Sequence, residues 1–239
     1  MTQTILLCIL GAFLQLAISS PSTLPPTCSK MGTAAEYNAI SQGLDSDTPT
    51  TTKFPETSAI SQGRKKLSAT IRQGTYKHLN FLLQRTQRIA RELLTDPVIS
   101  NIDTENMRKD KSVLEQYVKD ANEGLNSAFA NCKEQILKNF FTFSNRYSTK
   151  VADLTNEQKT VWNALQAHGY EQFESEENKL LNDIGNHYAD EFEHYLDALS
   201  PADKETEKDL VYVYETYQEN QDIMDRANYG FRFGNFFSK

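Results

Sequence analysis

An apolar repeat from residue 104 to residue 154 constrains the fold of this chain more than any other stretch. Its apolar positions alternate between steps of four and three residues as far as Cys132, and after an extra step of four they continue at spacings of three or four. They are Leu114, Val118, Ala121, Leu125, Ala128, Cys132, Ile136, Phe140, Phe143, Tyr147, Val151 and Leu154. This spacing is typical of a long helix that packs against other helices, and the additional step is a stutter in its seam. We predict one central helix over residues 104–154.

A first helix is predicted before the central one, over residues 58–94. Leucine, isoleucine and alanine form one apolar face in its second half. The first half contains Gly63 and Gly74, which lower helix propensity, so we expect it to fray. The helix should end before Pro97, because proline cannot continue it.

Two helix starts follow the central helix. Thr155 and Gln158 have the spacing of a capping box, which predicts a third helix over residues 155–199. Ser200 followed by Pro201 predicts the start of a fourth helix. Because short connections favour antiparallel neighbours, the predicted fold is all-α: an elongated antiparallel bundle of about four long helices.

The ends of the chain differ from this helical middle. Residues 5–18 are an apolar run followed by small residues, so we predict that residues 1–19 are a secretory signal peptide rather than an uncleaved anchor. Five of the seven prolines fall in residues 20–57, which we predict to be an irregular arm. The helical bundle then spans residues 58–227 and leaves residues 228–239 as a tail.

Two cysteines, Cys28 and Cys132, remain after removal of the signal peptide, which contains Cys8. An even number of cysteines in a secreted chain indicates pairing, so we predict a disulfide bond between them. The alternative is a buried thiol at Cys132 with Cys28 free or paired between molecules.

Charge is distributed unevenly along the chain. Residues 53–92 contain nine Lys or Arg and two acids, whereas residues 153–225 contain nineteen acids and four lysines. The basic first helix could bind a polyanion or a membrane surface, but we favour pairing with the acidic helices of the same chain. The overall net charge of −7 gives no indication of a nucleic-acid partner.

The one metal-like pattern consists of His187, Glu191 and His194 on the third helix. The spacing of Glu191 and His194 resembles the Glu-x-x-His motif of carboxylate di-iron bundles, which takes ligands from several helices. The second candidate here, His168 with Glu171, has the reverse order and lies on the same predicted helix. On a helical wheel Glu191 borders the apolar stripe and both histidines of the pattern point away from it. We favour a solvated face and expect no metal and no cofactor.

Sequence motifs for catalysis are absent. The chain contains no Gly-x-Ser-x-Gly, Cys-x-x-Cys or His-Glu-x-x-His motif and no Gly-rich phosphate loop. His78 has no charged companion in the sequence pattern, and we interpret it as structural. We therefore expect that the protein is not an enzyme.

The tail is rich in aromatic residues and contains no acid. Its aromatic side chains are Tyr229, Phe231, Phe233, Phe236 and Phe237. They either fold back as a cap over the bundle, which we favour, or form an exposed surface for a partner or a membrane. Residues 231–234 resemble the end of an amidated neuropeptide precursor, but no basic cleavage pair accompanies them.

These observations leave three functional classes. The first is a secreted, non-enzymatic helical protein that binds an extracellular partner protein or an apolar ligand. The second is an amphipathic protein that opens on lipid, in which respect it resembles exchangeable apolipoproteins. The third, a helical metalloenzyme, is remote. The sequence predicts the first class and leaves the oligomeric state open.

Overall fold

The computed structural model describes residues 58–148 and 154–219. Within these two stretches the chain forms eight α-helices and no β-strand, which confirms the all-α prediction. The helices are α1 (Ala59–Thr95), α2 (Pro97–Ser100), α3 (Glu105–Asn126), α4 (Ala130–Tyr147), α5 (Asn156–Ala167), α6 (Tyr170–Asp197), α7 (Pro201–Thr206) and α8 (Lys208–Glu219). The predicted signal peptide, arm and tail lie outside the described residues.

The boundary between α1 and α2 lies where the sequence predicts a helix end. Pro97 occupies the first turn of α2, where its missing N–H costs no hydrogen bond. The preceding Asp96 caps α2, since its carboxylate accepts hydrogen bonds from the backbone N–H groups of Val98 and Ile99. A proline and an acidic cap thus separate the two helices.

The glycines of α1 have a packing role that the sequence did not indicate. α1 is helical through both Gly63 and Gly74, so their low propensity does not interrupt it. A Cβ atom at Gly63 would overlap the ring of Tyr195, and one at Gly74 would overlap the hydroxyl group of Tyr188. Both tyrosines belong to α6. The glycines therefore allow two aromatic side chains of α6 to lie directly against the backbone of α1.

The prediction of one central helix over residues 104–154 is wrong. The chain leaves the helix after Asn126 and forms a second helix only from Ala130. Ser127 and Phe129 have extended backbones, with ψ angles of 138° and 120°. The ammonium group of Lys133 donates to the carbonyl oxygen of Gly124 at 2.6 Å, and this carbonyl also accepts from the backbone N–H of Ser127 at 3.1 Å, so both close the C-terminal end of the helix.

As a result the two halves of the predicted seam pack on each other. The rings of Tyr117 in α3 and Phe140 in α4 lie 5.4 Å apart between centroids. Farther from the connection between the two helices, the hydroxyl group of Tyr147 in α4 donates to the carboxylate of Asp110 in α3. Because residue numbers rise along α3 as they fall along α4, the two helices form an antiparallel hairpin.

The third predicted helix, over residues 155–199, also divides. Its capping box is confirmed, since Thr155 accepts from the backbone of Gln158 and the side chain of Gln158 accepts from the backbone of Thr155. The break comes at His168 and Gly169. Gly169 has a φ angle of +87°, a left-handed conformation that glycine adopts without steric strain.

The fourth predicted helix begins as expected and then breaks. Ser200 accepts a hydrogen bond from the backbone of Asp203 at 3.2 Å, and Pro201 is the first residue of α7. The helix ends at Thr206, where Glu207 leaves helical geometry with φ −96° and ψ 15°. α8 then begins at Lys208.

The described residues divide into two compact units. Unit 1 contains residues 58–75 and 180–219, and unit 2 contains residues 76–148 and 154–179. The buried core of unit 1 consists of Ile60, Leu67, Phe192, Tyr195, Leu196, Leu199 and Leu210. In unit 2, Phe140 lies among the rings of Tyr117, Phe141, Phe143 and Tyr170. The predicted count of about four long helices is not confirmed, since eight helices are described.

Candidate binding cleft and buried charged groups

Ion pairs join the basic residues of α1 to acidic residues that follow much later in the chain. In unit 1, Lys66 contacts Glu191 at 2.6 Å, and this ammonium lowers the pKa of Glu191. In unit 2, Arg85 contacts Glu176 and lowers the pKa of that carboxyl group. The preference for charge pairing within the chain is confirmed at these positions.

Unit 2 contains a cleft that is formed by described residues. Its volume is about 160 Å³. It is lined by Arg85, Arg88, Ile89, Glu92, Ala167, His168, Gly169, Gln172 and Phe173. The walls are thus α1 on one side and the junction between α5 and α6 on the other. The left-handed turn at Gly169 positions that junction.

His168 lies between two carboxylates at the rim of the cleft. Its Nε2 atom is 2.8 Å from Oδ2 of Asp96, and its Nδ1 atom is 3.6 Å from Oε2 of Glu92. The hydrogen bond to His168 is the main reason that the pKa of Asp96 is lowered. Asp96 also caps α2, so one carboxylate links the start of α2 to the junction between α5 and α6.

The two arginines of the cleft are paired with carboxylates of unit 2. Arg88 donates from Nε to Glu92 at 2.8 Å. Arg85 contacts Glu176, whose second oxygen accepts from Gln172 at 2.8 Å. The cleft is therefore lined by arginines that are paired with carboxylates and by the apolar side chains of Ile89 and Phe173.

The polar side chains that line this cleft are of types that can bind a ligand. Its lining residues include no serine, threonine or cysteine that could act as a nucleophile. Guanidinium, carboxylate and amide groups can nevertheless donate and accept hydrogen bonds to a small polar molecule, and Ile89 with Phe173 offers apolar contact.

The predicted metal pattern lies on one helix face of α6. His187 and His194 are exposed, and Glu191 is half-buried and bound to Lys66, as the helical wheel predicts. Across residues 58–148 and 154–219, no group of three or more His, Cys, Asp or Glu side chains is arranged to hold a metal ion. The structure therefore does not bring ligands from a second described helix to these residues.

The predicted disulfide and the predicted interaction tail fall partly or wholly beyond the described residues. Cys132 is described and is only 4% exposed, near the start of α4. Cys28 is outside the described residues, so its pairing with Cys132 stays a prediction. The same holds for the tail residues Tyr229, Phe231, Phe233, Phe236 and Phe237.

The interpretation of His78 as unaccompanied is wrong. Its Nε2 atom lies 2.8 Å from Oε1 of Glu177, and both side chains are less than 5% exposed. The signal was available in the sequence, because His78 lies one helical turn before Leu82 and Glu177 one turn after Phe173 on apolar faces. What the sequence lacked was any indication that these two faces meet.

Three further charged residues of unit 2 are buried in the hairpin of α3 and α4. Asp110 accepts from Tyr147 and contacts Arg146 at 2.5 Å. Burial lowers the pKa of Lys133 and raises the pKa of Glu134 to about 7. The burial of these three residues was not predicted from the sequence, although Asp110 lies one turn before Leu114 in the apolar seam.

Comparison with known proteins returns no match to a family model, a curated protein or a solved structure. Among the described helices, none is both long enough and apolar enough to cross a membrane.

Proposed function

We propose that this chain is a secreted, non-enzymatic helical protein that binds an extracellular partner protein or an apolar ligand. Long helices in antiparallel contact, such as α3 and α4, support the bundle-like architecture that this function uses. The cleft of unit 2 supports binding, because its lining residues offer hydrogen-bond donors and acceptors together with the apolar side chains of Ile89 and Phe173. The proposal of secretion rests on the apolar run at residues 5–18 and the small residues that follow it.

The observation that carries this proposal is the charge inside unit 2. His78, Asp110, Lys133, Glu134 and Glu177 are all buried. A protein that opens on lipid places its interior helix faces against acyl chains. Here that opening would bring the hydrogen-bonded polar groups at His78–Glu177 and Asp110–Tyr147 and the ammonium group of Lys133 into an apolar phase, which is costly. The interior therefore favours a protein that stays closed over one that spreads on a lipid surface.

Lipid-surface binding is the alternative, and vesicle flotation separates the two. We expect the purified mature chain to stay at the bottom of a gradient with phosphatidylcholine vesicles and to keep its helix content by circular dichroism. An exchangeable apolipoprotein serves as the positive control. Co-flotation with increased helicity would overturn the proposal in favour of the alternative.

Secretion and partner binding have their own measurements. Intact-mass analysis of protein from the medium of expressing cells should show a chain that begins at Ser20. Native mass spectrometry of protein purified from its source should then show an additional mass from a partner or ligand. A chain retained in cells with residues 1–19 attached would contradict secretion, and stoichiometric iron or zinc would favour the metalloenzyme.

A further inference from the structure

The corner between α7 and α8 in unit 1 contains a buried carboxylate. The side chain of Glu207 is 0% exposed, although it belongs to a short non-helical connection. Arg64 donates to it twice, from Nη2 at 2.8 Å and from Nε at 3.1 Å. The hydroxyl group of Tyr195 donates a third hydrogen bond at 3.0 Å. Glu207 thus connects the corner to both α1 and α6.

Among the side chains that the structure describes, few others are buried between this segment and the rest of unit 1. α7 contains no buried residue. Between residues 201 and 219, the buried side chains that the structure describes are Glu207 and Leu210. Val211 and Tyr214 are half-buried, and the Tyr214 ring stacks on Phe192 with centroids 4.9 Å apart. Helices of six and twelve residues are too short to be stable alone, so their order depends on these contacts.

We propose that α7 and α8, residues 201–219, form a strap that detaches from α1 and α6 as a single segment while unit 2 stays folded. The Arg64–Glu207 ion pair controls this opening. The physical reason is the charge on Glu207. Glu207 is fully buried, so if its carboxylate loses its guanidinium partner it regains hydration only when the corner detaches. Opening uncovers Phe192 and Leu210, and it occurs whether or not the protein binds a partner.

Hydrogen exchange measured by mass spectrometry on the full mature chain tests this opening. In the wild-type protein, amides of residues 201–219 should exchange faster than those of α3 and α4, because local opening requires less free energy than global unfolding. Arg64→Met should accelerate exchange in the strap by at least about tenfold, since it leaves Glu207 buried without its partner. Peptides from unit 2 should exchange at unchanged rates.

Lys66→Met is the matched control. It removes a cation two residues after Arg64 in α1. The Lys66 side chain, however, is 67% exposed, and its partner Glu191 does not belong to the strap. Exchange in the strap should therefore change little. The double variant Arg64→Met with Glu207→Gln should restore slow exchange, because a neutral amide can still accept from Tyr195 without burying a charge.

Three outcomes would overturn the proposal. One is acceleration of exchange in unit 2 to the same extent as in the strap, which would mean that the segment does not open independently. Another is an equal effect of Lys66→Met, which would remove the special role of Glu207. Complete loss of structure in Arg64→Met by circular dichroism would also overturn it, because unit 2 would then not stay folded without the pair.

Discussion

His78 and Glu177 are separated by 99 positions in the chain, yet their side chains form a 2.8 Å contact inside unit 2. The pair joins α1 to α6, and neither side chain has enough exposure to exchange its partner for bulk water. In such a pair the cost of removing one member exceeds the net benefit of having both, because the remaining group stays buried without compensation.

His78→Leu should therefore lower the free energy of unfolding by about 3–5 kcal/mol, as expected for an abandoned buried charge. Replacement of both members, His78→Leu with Glu177→Leu, should be much less destabilising than the sum of the two single changes. Urea denaturation followed by circular dichroism gives all four values. His187→Leu, at an exposed histidine of α6, is the control and should change stability little. Additive single effects would contradict the coupling.

Glu134 should make the stability of the protein depend on pH. The residue is 6% exposed, and burial raises the pKa of its carboxyl group from the ordinary value of 4.5 to about 7. Between these values the folded state holds a proton that the unfolded state has lost. The contribution of Glu134 to stability is therefore full below pH 4.5 and falls as the pH rises toward 7, by up to about 1.4 kcal/mol per pH unit.

Glu134→Gln removes this dependence, because glutamine does not ionise. The difference in unfolding free energy between variant and wild type should therefore grow in favour of the variant from pH 5 to pH 7 and level off above that. Glu115→Gln, at an exposed glutamate of α3, is the matched control and should leave the pH profile unchanged. Parallel profiles for Glu134→Gln and wild type would show that this carboxyl group titrates normally.

Gly63→Ala should destabilise the protein although alanine is the better helix former. The gain in helix propensity is about 1 kcal/mol, whereas overlap in a packed interface costs about 1–3 kcal/mol. The overlapped group is the ring of Tyr195, which is held in place by its hydrogen bond to Glu207. We expect a lower melting temperature for Gly63→Ala and no loss for Gln73→Ala, at an exposed position of the same helix. A more stable Gly63→Ala variant would mean that α6 does not approach α1 at this point.

The disulfide prediction can be tested on the mature protein by peptide mapping without reduction. A peptide that joins Cys28 to Cys132 should appear and should divide into two on reduction, with a mass increase of about 2 Da. Alkylation of the denatured, unreduced protein should leave both residues unmodified. Alkylated Cys132 would instead support the alternative of a buried thiol. Serine at both positions should lower the melting temperature, because the unfolded chain would lose a constraint.

Sequence reasoning located helix starts well and helix breaks poorly. The caps at Thr155 and Ser200 were predicted because each consists of contacts within four residues. The break at residues 127–129 was missed, since the apolar spacing continues through it without a proline. There α4 folds back on α3, and Lys133 donates to the carbonyl oxygen of the buried residue Gly124 at the end of α3.

The candidate site, too, was predictable from the sequence in part only. The opposite charges of the first helix and the later helices were visible in the sequence, and the structure pairs Arg85 with Glu176 and Lys66 with Glu191. The cleft beside His168 was not predicted, because it depends on a left-handed turn at Gly169 and on the approach of Asp96 from 72 positions away.

Taken by itself, the sequence determined the helical class of the described chain, the residues at which several helices begin, and which segments carry opposite charge. Those properties depend on local hydrogen bonds and on composition, which act within a few residues. Only the tertiary structure decided that the central seam folds back as a hairpin, that Gly63 and Gly74 accommodate tyrosine rings, and that His78, Glu134 and Glu207 are buried. Burial and close packing depend on which faces meet, and that is set by contacts between residues far apart in the chain.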